Sequence, residues 1–284
     1  MSIAQTGPSF AELVAATNYS FLRGASHPAE MVTRAHSLGM AGIGIADRNT
    51  VAGVVRAHIA WREIGGAQSG LRLVVGARLV FADGTPDIVA YPATRCGWGR
   101  LTRLLTLGNR RAVKGECILH LADLLDHAEG LLLIVMGRNR MVLDRLAAAC
   151  PGAVWLAVNM HRAGADVRRL VEAQTLSAAT GIPLLATNDA LYAGPEARPL
   201  HDILNCIRDG VTIHSAGRRL AANAERHLKS PAEMLRLLRL CPEAVTATAD
   251  LLSRIAFTLD DLRYEYPHEP VPEGWEPQIG RAHV

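Results

Sequence analysis

Short runs of consecutive apolar residues, alternating with stretches whose apolar residues recur every three or four positions, constrain this chain more than any other feature. The runs are Ala41 to Ala46, Leu71 to Phe81, Asp87 to Tyr91, Leu131 to Met136, Val154 to Val158 and Ile182 to Ala186. Between them lie Pro28 to Leu38, Val51 to Ile64, Leu101 to Arg111, Met141 to Ala149 and Ala165 to Thr180, each with helical periodicity. A run apolar at successive positions is a strand covered on both faces, and strands separated by helix-sized connections run parallel. From about Ala11 to Thr187 the chain is therefore predicted to be an α/β sheet or barrel. Ser26 and Pro28 stand where a cap and a first-turn proline belong, and Gly39 follows as a stop. Beyond Ala193 the strands cease and Glu196 to Ile207, Pro231 to Leu240 and Pro242 to Ile255 read as helices. Tyr264 to Trp275 is proline-rich and without periodicity, so it reads as a connector.

With 49% hydrophobic residues in 284, a sizeable core can be buried and general disorder is excluded. Aromatics are only 5%, which argues against a base-stacking module. The net charge of +3 rests on 28 Arg and two Lys, Lys114 and Lys229, a skew that a coding bias accounts for better than nucleic-acid binding does. The longest apolar stretch, Gly130 to Gly137, falls far short of the roughly 18 to 20 residues that span a bilayer, so no membrane association is expected. Residues 1–8 lack a basic head and an apolar core, so a cytoplasmic location is expected. Cys96, Cys117, Cys150, Cys206 and Cys241 form no Cys-x-x-Cys pair, and neither a disulfide framework nor a zinc knuckle is expected.

Polar residues that end parallel strands are where such folds place chemistry, and Asp47 and Asp189 occupy that kind of position. No glycine-rich phosphate loop, nucleophile elbow or His-Glu-x-x-His helix occurs. Gly65 to Gly70 follows a helix and precedes a strand, the reverse of a phosphate cradle, and reads as a turn. Arg110, Arg111 and Lys114, and Arg218, Arg219, Arg226 and Lys229, are short basic clusters that read as solvated surface before phosphate contacts. The eleven histidines supply no set with metal-ligand spacing.

Several segments resemble a known family. Asn18 to Ser26, Asp47 to His58, Ala186 to Asp189, His201 to Arg208 and Asn223 to Met234 are similar to the N-terminal polymerase-and-histidinol-phosphatase (PHP) domain of bacterial C-family DNA polymerases, in particular of the error-prone, second-type α-subunits. The likeness runs from about residue 10 to Pro277. It implies a distorted seven-stranded (β/α) barrel of the PHP type in residues 1–193, a short helical region of the same domain in 194–262 and a connector toward a polymerase palm in 263–278. Residues 279–284 match a translated sequencing adapter and are expected to be a non-native tail.

The resemblance also implies where metal ligands would lie, and the sequence departs from that pattern. A His-x-His pair of the metal-bearing members falls on Val14 and Ala16, an Asp-His pair on Asp47 and Arg48, the Glu of a Gly-x-Glu on Arg78, and an Asp-x-His on Asp189 and Leu191. Only Asp47 and Asp189 keep a side chain that could ligate. No metal, cofactor or catalytic residue is therefore expected in this segment. Arg48 and Arg78 are expected to stand in for the lost cations by pairing with the two carboxylates. The resemblance further implies a parent enzyme that adds nucleotides across damaged template in translesion synthesis and damage-induced mutagenesis. It would use Mg²⁺ in a downstream palm, work with the palm and fingers of the same chain and with DNA, and meet a sliding clamp and mutagenesis accessory proteins. The alternative is a free-standing metal-dependent phosphoesterase of the same superfamily, and a third reading is a pure interaction module.

Overall fold

The computed structural model describes residues 9–262; the proline-rich connector and the expected non-native tail lie outside these residues. Seven strands form one sheet in chain order: β1 (Ala11–Ala15), β2 (Gly42–Arg48), β3 (Arg72–Leu79), β4 (Ile88–Pro92), β5 (Leu131–Val135), β6 (Val154–Val158) and β7 (Leu184–Ala186). Around them lie α1 (Pro28–Ser37), α2 (Val54–Glu63), α3 (Arg95–Arg111), α4 (Leu121–His127), α5 (Arg140–Ala149), α6 (Asp166–Thr180), α7 (Arg198–Asp209), α8 (Pro231–Leu237) and α9 (Glu243–Arg254). The expected seven-stranded β/α barrel is present, nearly closed. An isolated bridge joins Ala15 to Ala190, where the Ala16 amide donates to the Ala190 carbonyl at 2.9 Å and the Ala190 amide donates to the Val14 carbonyl at 3.0 Å.

Strand direction departs from the all-parallel expectation. β4 runs antiparallel to both β3 and β5. Leu79 and Ile88 are register partners across the β3–β4 turn, and a connection this short makes a hairpin because a parallel crossover needs about a dozen residues. The first strand is absent from the apolar runs because Glu12 interrupts it, and the seven-residue α4 is too short to show a helical period.

Two cores result. Outward faces of the strands pack against the helices through residues such as Met31, Val32, Ile43, Ile45, Leu101 and Leu143. Inward faces form a second cluster that includes Leu13, Val74, Val89, Tyr91, Ile134 and Leu185. Tyr91 is fully buried and donates to the Leu13 carbonyl at 2.7 Å. A Cβ on Gly44 would lie 2.1 Å from the Tyr91 hydroxyl, so only glycine leaves room for that ring.

The helical stretch after the barrel folds back as its plug. Ala247, Leu251, Leu252 and Ile255 enter the inner cluster, and Thr248 Oγ1 accepts from the Ala11 amide at 3.1 Å. Arg72, the first residue of β3, donates to the carbonyls of Leu252, at 2.8 Å, and Ile255. These contacts lie where the parallel strands begin, so α9 closes that end and leaves the C-terminal ends of the strands as the mouth. No helix among the described residues is long and apolar enough to cross a membrane.

Candidate functional site

The mouth is built from the last residues of β2, β3 and β7 together with the first turn into the antiparallel β4. Arg48 and Arg78 are register partners across β2 and β3 and so project to the same side of the sheet. Because β4 is reversed, Asp87, just before it, stands at the mouth although it precedes its strand. Arg78 donates from Nε to Asp87 Oδ2 at 2.8 Å and from Nη1 to Asp189 Oδ1 at 2.6 Å. Arg226 reaches the other oxygen of Asp189 with Nη2 and the Asp189 carbonyl with Nε at 3.0 Å.

Local backbone positions these groups. Asp189 follows β7 at φ 47°, in the left-handed region that Asp tolerates better than most residues, and its amide donates to Thr187 Oγ1 at 2.8 Å. The segment bearing Arg226 is pinned beside it: the Leu191 amide donates to the Arg226 carbonyl at 2.9 Å, and Asn188 Nδ2 donates to the carbonyls of Glu225 and His227, each at 2.5 Å. Burial alone would raise the Asp189 carboxyl, yet Arg226 and Arg78 outweigh it and hold the pKa at about 2. Burial likewise opposes the charge on Arg78, but Asp189 and Asp87 raise its pKa above the ordinary value.

Of the residues placed from sequence, Arg78 and Asp189 come together, whereas Asp47 and Arg48 join no such pair. Asp47 points away from the mouth. Its Oδ1 accepts from the Thr17 amide and Ser20 Oγ, both at 2.7 Å, and its Oδ2 accepts from Thr17 Oγ1 at 2.8 Å, so it staples the connection after β1. Burial raises its pKa against these hydrogen bonds. Arg48 lies on the opposite side of the strand, half-buried, and makes no ion pair or side-chain hydrogen bond among the described residues. The expectation that Arg48 pairs with one of the two carboxylates is thus corrected: alternation along β2 sends Asp47 to the other face, and both oxygens of Asp189 are taken by Arg78 and Arg226. Val14, Ala16 and Leu191 are buried and apolar, with Ala16 and Leu191 flooring the mouth.

Sequence reasoning missed Asp87 and gave Arg226 to the solvated surface. It also missed Glu12, which is fully buried at the β1–β7 seam and accepts from the Val14 amide at 2.9 Å, Thr187 Oγ1 at 2.5 Å and the Asn188 amide at 2.7 Å. Burial pushes its pKa up to about 7 against those bonds. Among the described residues, no three His, Cys, Asp or Glu side chains are grouped so as to hold a metal ion. The three aliphatic side chains of Val14, Ala16 and Leu191 and the two guanidiniums of Arg48 and Arg78 bring no lone pairs to the remaining positions, so the residues present do not fit a metal cluster.

They do enclose a cavity of ≈ 290 Å³ lined by Arg23, Arg48, Arg78, Arg208, Arg219 and Arg226, with Asp87, His201 and Asn205 in its wall. Burial lowers the pKa of Arg23, and repulsion from Arg48 and Arg208 lowers it further. His201 is driven down to about 4 by burial and then by Arg226, so it is neutral at physiological pH, with Asn205 Nδ2 at 3.2 Å from its Nδ1.

The PHP domain family matches residues 12–172, and the chain belongs to that family. Error-prone DNA polymerases are its relatives: that of Brucella abortus is 52% identical over 270 residues, covering 93% of this chain and 25% of its own length. The error-prone DNA polymerase of Rhodopseudomonas palustris strain BisB5 is 50% identical over 276 residues, and that of Caulobacter vibrioides 49% over 273, each covering 94% of this chain and 25% of its own. The chain thus spans about a quarter of the length of these curated relatives. Among solved structures, an amidohydrolase from Chromobacterium violaceum aligns with a TM-score of 0.44 at 16% identity, over 66% of this chain and 89% of its own.

Proposed function

We propose that this chain is the N-terminal PHP segment of an error-prone DNA polymerase, and that within it the barrel serves as a scaffold whose metal site has been replaced by an arginine–carboxylate network. The single observation that carries the identity is the 52% match to an error-prone DNA polymerase across 93% of the chain. The scaffold role is supported by Arg78 and Arg226, which occupy both oxygens of Asp189 where a cation would otherwise be held. The free-standing phosphoesterase needs donors that Val14, Ala16, Arg48, Arg78 and Leu191 do not supply. Under this reading the whole enzyme is a cytoplasmic nucleotidyltransferase that uses Mg²⁺ in its palm to extend a primer across damaged template. Its partners are the palm and fingers of the same chain, DNA, a sliding clamp and mutagenesis accessory proteins.

Primer extension tests it. The full-length product of the gene is expected to extend a primer past a template lesion with Mg²⁺, whereas this chain alone neither extends a primer nor degrades DNA. A nuclease activity of the chain that survives repurification and disappears in Asp189→Ala would overturn the scaffold role.

A further inference from the structure

The segment that carries Arg226 is a strap, residues 221–230, laid beside β7 and the loop after β6. It is held largely by backbone groups: the Leu191 amide donates to the Arg226 carbonyl at 2.9 Å, Tyr192 and His227 form an isolated bridge, and Asn223 Nδ2 donates to the His161 carbonyl at 2.7 Å. One group in the strap is costly. The Lys229 ammonium is buried, and an ion taken out of water needs acceptors for its protons. It meets Glu225 Oε2 at 2.9 Å and His227 Nε2 at 3.2 Å. The second contact requires a neutral imidazole. His227 Nδ1 lies 2.8 Å from the Ala224 carbonyl, which can only accept, so Nδ1 carries the ring proton and Nε2 is the bare nitrogen that receives the ammonium.

We propose that His227 and Lys229 form an acid-sensitive latch: a proton on His227 Nε2 takes an acceptor from the buried ammonium, sets two cations side by side and opens the strap, which frees Arg226 from Asp189. Like charges at such a separation in a half-buried setting repel strongly. The groups around the ring set where the latch acts. Burial holds His227 below the ordinary 6.5, and Lys229 and, from α1, Arg34 add to that effect. The Ala224 carbonyl and Glu225 act the other way, but Glu225 already has its Oε1 engaged by Arg162 at 3.4 Å. An opened strap returns the imidazole to water and to its ordinary value. The open form therefore binds the proton more tightly and gains on the closed form as pH falls below 6.5. The proposal does not depend on the polymerase reading.

Amide hydrogen exchange of the 284-residue chain, corrected for the intrinsic pH dependence of exchange, tests it. The Leu191 amide reports on the strap because it donates to the Arg226 carbonyl, and the amides of β3 serve as the control. Between about pH 7.5 and about pH 5, protection at Leu191 is expected to fall roughly tenfold while that of β3 holds within about twofold. His227→Gln cannot take up the proton, and Lys229→Met removes the cation that the proton would meet. Each is expected to confine the fall at Leu191 to within about twofold. Circular dichroism at the higher pH identifies the variants that fold, and either folded variant decides the test. No fall at Leu191 in the unaltered chain, an equal fall in β3, or the full tenfold fall in a folded variant would overturn the proposal.

Discussion

The two ends of this barrel are built from the same seven strands but held in opposite ways. At the closed end α9 inserts Leu251, Leu252 and Ile255, and strand-end polar groups such as the Ala11 amide and Arg72 are satisfied by that helix. At the mouth α7 brings the polar His201, Asn205 and Arg208 to the cavity wall, and side chains in equivalent inward positions are Arg48 and Arg78. The difference teaches that a β/α barrel can leave one end to packing and the other to ion pairing, so the mouth can change its chemistry without disturbing the plug.

Breaking each end separately sharpens that contrast. The largest effect is expected for Arg78→Ala, which strips Asp87 of its guanidinium and Asp189 of one of two. Removing one partner of a buried pair costs about 3 to 5 kcal/mol. Because Arg226 still holds Asp189, the loss should fall near the lower figure, and adding Asp189→Ala should recover part of it. Thermal unfolding of the singles and the double measures both.

At the closed end Leu251→Ala is expected to cost about 2 to 5 kcal/mol by leaving a cavity under fully buried surroundings. Combined with Arg78→Ala its cost should add, since the two ends share no partner. A coupling well above about 0.5 kcal/mol would show the ends to be one cooperative network instead.

The two buried carboxylates at the barrel seam and mouth titrate in opposite senses. Glu12 is raised to about 7 from an ordinary 4.5, so the folded state binds its proton more tightly than the unfolded chain does. Its contribution is present below the ordinary value and is lost as pH rises through 7, on the order of 3 kcal/mol. Asp189 is lowered to about 2 from 3.8, so its contribution is present above 3.8 and is lost as pH falls toward 2. Urea midpoints across pH are therefore expected to fall on both sides of the interval between 3.8 and 4.5, and Glu12→Gln should flatten the upper side alone.

How much of this was legible in the sequence follows from what each feature depends on. Val154–Val158 coincides with its apolar run because all five residues are buried, and α1 follows its proline and Gly39 because caps are local signals. The reversal of β4 was written in the short turn before Asp87, yet apolar content alone does not show direction. Asp47, Arg48, Arg78 and Asp189 read as one network of two carboxylates and two guanidiniums, but alternation in β2 turns Asp47 away from Arg48, and only Arg78 and Asp189 meet. Arg226 joins Asp189 from 37 residues away, past the end of the strands, and no local pattern marks such a contact. Glu12 reads as a break in a strand, whereas it is the group that ties β1 to β7.

The smallest effect is expected at Arg48, whose side chain has no partner to lose among the described residues. Arg48→Ala should change stability by under about 1 kcal/mol, in contrast to its register partner Arg78. A loss as large as that of Arg78→Ala would mean that the two guanidiniums share one network after all.

The account's central claim is that arginines, and not cations, balance the carboxylates at the mouth. Elemental analysis of the purified chain tests it most directly. The account predicts no Zn, Mn or Fe in stoichiometric amount, since Val14, Ala16, Arg48, Arg78 and Leu191 offer no ligand. One or more tightly held metal ions per chain, lost on substituting Asp189, would contradict it.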